Sequence, residues 1–226
     1  MRFNTIFRMV ILIFFATAAH AGEVSSPPAR EVTGSEQKII AGIEKRYAAI
    51  GFSARFHQFS TLKAMEIVDT ASGSIIVKRP GMMRWTYEAP EKQTIVSDGR
   101  QLWVYRPQDN QVMVGKTPAF FGNGKGAGFL ADLTSLKKQF DISREKDTPE
   151  GDYRLTLAPK EKTQEISAIH LIVAKETFTI TEIITVNIYG DETRIQFSDI
   201  QFQEKIDNTV FTFDIPDGVD VIHLDQ

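Results

Sequence analysis

Cysteine is absent from the 226-residue chain, so no disulfide braces it and its stability must come from a packed core. Positive charge is not in excess either, with 26 Lys+Arg against 29 Asp+Glu. That balance argues against nucleic acid or an anionic membrane surface as a direct partner, since both recruit basic patches. Catalytic signatures are lacking: there is no G-x-S-x-G elbow, no H-E-x-x-H and no His/Cys cluster with metal-ligand spacing. His57, His170 and His223 stand apart from one another in the sequence. The glycine stretch FGNGKGAG invites a phosphate-loop reading, but Lys125 is followed by Gly126 rather than Ser or Thr, and no strand-loop-helix unit surrounds it. These glycines suit a movable flap better than a nucleotide site. No cofactor, no metal and no enzymatic role is expected.

Long apolar runs are scarce, and the one at the N-terminus has a specific form. Arg2 and Arg8 precede the uncharged stretch Met9–Ala19, and Ala19-His20-Ala21 has the A-x-A pattern of a signal-peptidase site. The stretch falls short of the ~18 residues that a membrane span needs. The expectation is export to the periplasm with cleavage after Ala21. Removing the two arginines of residues 1–21 leaves 24 basic against 29 acidic side chains, net −5. With no cysteine after the cleavage site, a lipid anchor there is excluded and a soluble mature protein is expected. Residues 22–226 show no repeat and no boundary, and fit one domain.

What the chain does have is alternation. From Ser74 to Val114, aromatic and branched residues alternate with polar ones between short turns. Arg84-Trp85-Thr86-Tyr87 and Leu102-Trp103-Val104-Tyr105 read as half-buried antiparallel strands, and Asp98-Gly99 as a hairpin turn. Further strands are predicted at 52–59, 153–157, 166–173, 178–188, 193–202 and 210–213. Before them, Thr33-x-x-Glu36 has the form of a capping box, and Ile39, Ile40, Ile43, Tyr47 and Ile50 recur at helical spacing. The opposite helix face carries Glu36, Lys38, Glu44, Lys45 and Arg46. A second short amphipathic helix is predicted after the glycine stretch, around Phe129 and Leu133. The expected fold is mainly β: an unclosed antiparallel β-barrel with an α-helical lid over a hydrophobic cavity.

The stretch VKRPGMMRWTYEAPEKQTIVSDGRQLWVYRP resembles the core signature of the LolA family of periplasmic lipoprotein carriers. The shared pattern is Lys-Arg-Pro at a strand end, an aromatic strand with Trp, a Pro-containing turn, and Ser-Asp-Gly before Leu-Trp-x-Tyr-x-Pro. The likeness extends upstream through Ala54-Arg-Phe-His-Gln58 to the helix, and downstream to Phe211-Thr-Phe213 and Pro216-x-Gly218-Val219. It implies a monomeric carrier of acylated lipoproteins, loaded by the inner-membrane exporter LolCDE and unloaded to the outer-membrane receptor LolB. The alternative is a paralogue with another hydrophobic cargo, such as a glycolipid, because the glycine stretch and the acidic tail from Asp217 depart from the family pattern.

The resemblance also implies roles. Arg79 takes the place of a lid latch that ties lid carbonyls with its five donors, and Met82 and Met83 lie in the loop that docks on the exporter. Phe56, Ile76, Trp85, Tyr87, Trp103 and Tyr105 are candidate cavity-wall residues. Ile39, Ile43, Tyr47, Phe129 and Leu133 are candidates for the underside of the lid. Alternation puts Trp85 and Tyr87 on one face and Arg84 and Thr86 on the other, without fixing which face looks inward.

Overall fold

A computed structural model describes residues 34–48, 51–117, 130, 133 and 136–224. The leader 1–21, Thr33 of the capping box, Ile50, the glycine stretch and Phe129 lie outside the described residues. Helix α1, Gly34–Arg46, forms where apolar residues recur three and four apart, and Lys45 and Arg46 complement the partial negative charge of its last turn.

The strands are β1 (Gly51–Leu62), β2 (Ile67–Lys78), β3 (Met82–Ala89), β4 (Gln93–Asp98), β5 (Gln101–Arg106), β6 (Gln111–Lys116), β7 (Phe140–Arg144), β8 (Tyr153–Pro159), β9 (Ala168–Val173), β10 (Ile180–Val186), β11 (Glu192–Gln203) and β12 (Asp220–His223). Among the described residues they form one 12-stranded sheet in the order β12-β6-β5-β4-β3-β2-β1-β11-β10-β9-β8-β7. Its end strands, β12 and β7, do not pair with each other, so the barrel stays open. Neighbours run antiparallel except β12, which lies parallel to β6. The central pair β1–β2 is in register from Gly51↔Lys78 to Leu62↔Ile67. On the other side of β1, the register with β11 shifts between Ser53 and Arg55, opposite Asp199 at φ 52°, and such a bulge bends the sheet.

Period-two alternation makes one face of this sheet concave and apolar. Phe52, Ala54 and Phe56 of β1, Ile75 and Val77 of β2, and Met83 and Trp85 of β3 share it with Leu155, Leu157, Leu171 and Ile183 across the sheet. Helix α1 lies over this inner face with Ile39, Ile40, Ile43 and Tyr47 buried, and Leu130, Leu133 and Leu136 join the same core.

The outer face of β3–β6 is covered as well. The expected strand at 210–213 is instead a 3₁₀ turn, Asn208–Phe211, with a non-strand segment after it. Asp207 initiates the turn by accepting a hydrogen bond from Thr209 N at 2.9 Å. Phe211 is buried, and Phe213 packs near Trp103 and Tyr105 at ring-centroid distances of 6.5 and 5.5 Å. Arg84 donates to the Val210 carbonyl at 3.1 Å, and Lys78 Nζ to the Ile206 carbonyl at 2.7 Å, so cations on this face hold the segment down.

Candidate functional site

The candidate site is the inner face together with the helix that lies on it. Seven of the candidates, Ile39, Ile43, Tyr47, Phe56, Trp85, Tyr87 and Leu133, meet in this one core. Ile76, Trp103 and Tyr105 do not. Register pairs Ile76 with Arg84, and Trp103 with Val96 and Val114, all on the outer face. Both faces of β5 are apolar, and the larger residues go outward because the C-terminal segment buries them there. In their place, Leu102 and Val104 face inward.

Tyr47 is the hub at the end of α1. Its ring makes edge contacts with Phe52 and Phe202 at 5.5 and 5.1 Å. Its hydroxyl oxygen accepts from Ile180 N at 3.0 Å, which ties the helix to the start of β10. The Arg79 guanidinium carbon lies 5.6 Å from the Tyr47 ring centroid, within cation–π range. Arg46 sits over the Phe202 ring at 4.0 Å and donates to Thr179 Oγ1 at 3.3 Å. The proposed latch therefore stands beside the last turn of the lid.

Burial pushes the Tyr47 phenol from its ordinary 10.0 up to about 12, against the pull of the Ile180 hydrogen bond and the charges of Arg79 and Arg46. Burial also raises Tyr87. The folded form holds the Tyr47 proton more tightly than the unfolded chain, so the stabilisation it brings is complete below pH 10 and is lost as pH rises through about 12. An absorbance titration at tyrosinate wavelengths should show late ionisation from both Tyr47 and Tyr87, and Tyr47→Phe should remove the Tyr47 share of its amplitude. If all five tyrosines titrate together near their ordinary value, Tyr47 is not buried as described.

The helix comes close to the β9–β10 turn at Gly42, where a Cβ would overlap the ring of Phe178. Phe178 is itself held in a left-handed conformation (φ 55°) and stacks on Tyr153 at 6.1 Å, so it has little freedom to retreat. Gly42→Ala should gain helix propensity yet destabilise the docked helix, with a net loss of about 1–3 kcal/mol from overpacking. Faster amide exchange in α1 with unchanged exchange in β1 and β2 is the expected signature.

Glu36 departs from its expected place on the exposed face of α1. It is 3 % exposed and accepts a hydrogen bond from Arg144 N of β7 at 2.9 Å. Helical spacing places it in line with Ile40, Ile43 and Tyr47, on the first turn of the apolar stripe itself, where the terminal strand offers a backbone donor.

Met82 and Met83 follow the turn Arg79-Pro80-Gly81, but alternation separates them. Met83 points into the core at 1 % exposure, which removes its side chain from any docking surface in this closed arrangement, whereas Met82 is half-buried on the other face. The turn is braced from β4: Ser97 Oγ donates to the Gly81 carbonyl at 2.9 Å, and Gly81 and Gly99, both at positive φ, pack against each other.

Residues 48–214 match the family model described as outer membrane lipoprotein carrier protein LolA. The chain belongs to the LolA family. Among its relatives, the outer-membrane lipoprotein carrier protein of Nitrosomonas europaea is 32 % identical over 77 % of this chain and 83 % of its own. That of Hahella chejuensis is 26 % identical over 76 % of this chain and 81 % of its own. An uncharacterized conserved protein from Thermus thermophilus shares the fold at a TM-score of 0.55 and 14 % identity, covering 84 % of this chain and 99 % of its own. The LolA match takes in β1–β11 and the outer-face segment, and leaves α1 and β12 outside its bounds. Polar groups on the inner face, Gln58 and Gln93 among them, had escaped sequence reasoning. Their signal was positional: Gln58 continues along β1 the inward parity of Phe52, Ala54 and Phe56, and Gln93 pairs with Tyr87.

Proposed function

We propose that this chain carries acylated lipoproteins across the periplasm, sheltering their acyl chains on the inner face beneath α1. In this reading it is exported with cleavage after Ala21, works as a soluble monomer, takes cargo from LolCDE and yields it to LolB. It binds rather than catalyses. The observation that carries the reading is an open sheet whose apolar concave face is covered by a helix docked through side chains. Membership of the LolA family supports it.

Magnitudes explain why such a carrier has to exist. Burial is worth about 0.8 kcal/mol per CH₂, so three chains of roughly 15 methylenes come to about 36 kcal/mol. Spontaneous desorption would be far too slow, and extraction needs an energy source. The carrier must then hold the chains weakly enough to surrender them.

The test is to incubate the purified mature protein with spheroplasts and ATP and to analyse what is released with it. Triacylated lipoproteins in one-to-one soluble complexes are the expected result. Release of a free lipid or glycolipid without any lipoprotein would replace the carrier reading with that of a lipid-binding paralogue.

A further inference from the structure

The inner face holds two buried polar groups that find no partner among the described residues. Trp85 is 4 % exposed, yet its indole Nε1–H has no acceptor among the described residues, and neither has the buried Gln93 Nε2. Native proteins satisfy almost all such donors, so two in one place call for an explanation. They are close by construction. Trp85 pairs with Ile95 and Tyr87 with Gln93, which puts Trp85 and Gln93 on the same face as diagonal neighbours, a separation of about 7–8 Å that long side chains span.

The polar groups beside them pair with one another instead. Tyr87 donates its hydroxyl to Gln58 Oε1 at 3.0 Å, and Gln58 Nε2 donates onward to Ser60 Oγ at 3.0 Å. The Trp85 ring cannot swing away to find another partner. It stacks on Tyr87 at an interplanar angle of 22°, and Phe56 abuts both rings edge-on at 5.0 and 4.9 Å. The result is a pair of neutral N–H donors fixed in an apolar wall.

Neutral donors in such surroundings suit a neutral acceptor, because a buried anion would lack a countercharge. An ester carbonyl joined to an alkyl chain has that chemistry: the chain lies along the wall and the oxygen meets the donors. The geometry points to Trp85 Nε1 and Gln93 Nε2 as a binding site for the carbonyl oxygen of an acyl ester. This rests on the carrier reading above and adds to it a polar register for the cargo's acyl-glycerol group.

The test compares esters with ethers, which keep the chain and lose the carbonyl. Affinities of the mature protein would be measured for dioctanoylglycerol and its diether analogue, and for a diacylglyceryl-cysteine pentapeptide in the same two forms. The ester should bind about tenfold more tightly than the ether, the worth of one well-made hydrogen bond to a buried donor. Gln93→Leu and Trp85→Phe should each narrow that gap, read as the ester-to-ether affinity ratio within each variant so that any change in the apolar wall cancels. The Trp85 indole N–H resonance should shift downfield with the ester alone; with two tryptophans in the chain, Trp103→Phe assigns it. A preference in the peptide pair attributes the carbonyl to lipoprotein cargo, and one confined to the free pair attributes it to an acylglycerol lipid. Equal binding of ester and ether, or an undiminished gap in both variants, overturns the site and leaves the carrier reading standing. Failure of every probe to bind overturns both.

Discussion

Ile43→Asp is expected to detach α1 from the sheet while the sheet itself stays folded. Ile43 is fully buried on the underside of the helix, within the core shared with the strands. Losing its side chain alone would cost about 2–5 kcal/mol. A carboxylate left there adds several kcal/mol more unless it reaches water, and lifting the helix is the cheapest way to reach it. The helix has 13 residues, a length at which isolated helices are marginal, so the undocked segment should unwind. Hydrogen exchange should therefore rise across residues 34–46 and remain slow in β1, β2 and β11; with the segment unwound, no helix remains to close back over a bound chain, and retention of an acyl probe should fall by more than about tenfold. Uniform loss of protection through the strands would mean that α1 is part of the folding core rather than a cover.

Arg79→Leu should have the opposite effect on cargo, a tighter grip. The guanidinium beside Tyr47 favours the docked helix by an amount typical of cation–π contacts, about 0.5–2 kcal/mol. A cavity that is competent to bind only when the helix is raised has its affinity reduced by the fraction of molecules that are open. Removing the latch raises that fraction, so apparent affinity for an acyl probe should increase by roughly twofold to thirtyfold. Transfer to acceptor vesicles should slow to match. The stopped-flow release rate checks this, and Arg79→Lys should behave more like leucine than like arginine in so far as the planar face matters. Unchanged affinity in Arg79→Leu would remove the latch from the mechanism.

Much of this was legible in the chain, and the limits have physical causes. The Asp98-Gly99 hairpin was readable because a local backbone requirement is written in local residues; Asp98 Oδ1 accepts from Arg100 N and Gln101 N at 2.8 and 2.7 Å. The underside of α1 was readable because period 3.6 has one apolar stripe. The direction of Trp85 as against Trp103 was not. Both sit in identical alternation, and the difference lies in a segment more than a hundred residues away that covers β5 from outside. Val210–Phe213 misled for a related reason: alternating β-branched and aromatic residues fit a strand, but with Asp207 capping a turn they serve as plugs. The parallel β12 has only four residues, all exposed, and carries no periodic signal of its own.

The segment pinned behind β3–β6 bears on how such a molecule can do repeated work. Phe211 and Phe213 buttress the half of the sheet whose front bears Trp85, and Arg84 and Lys78 rivet them in place. A wall braced from the rear resists flexing when it is loaded, so on the carrier reading, among the described residues, the volume needed by a guest comes from the helix side. Compliance is thereby concentrated in one hinge-like element. Its strength can be tuned, residue by residue at Tyr47, Arg79 and Gly42, without altering the surface that the guest touches.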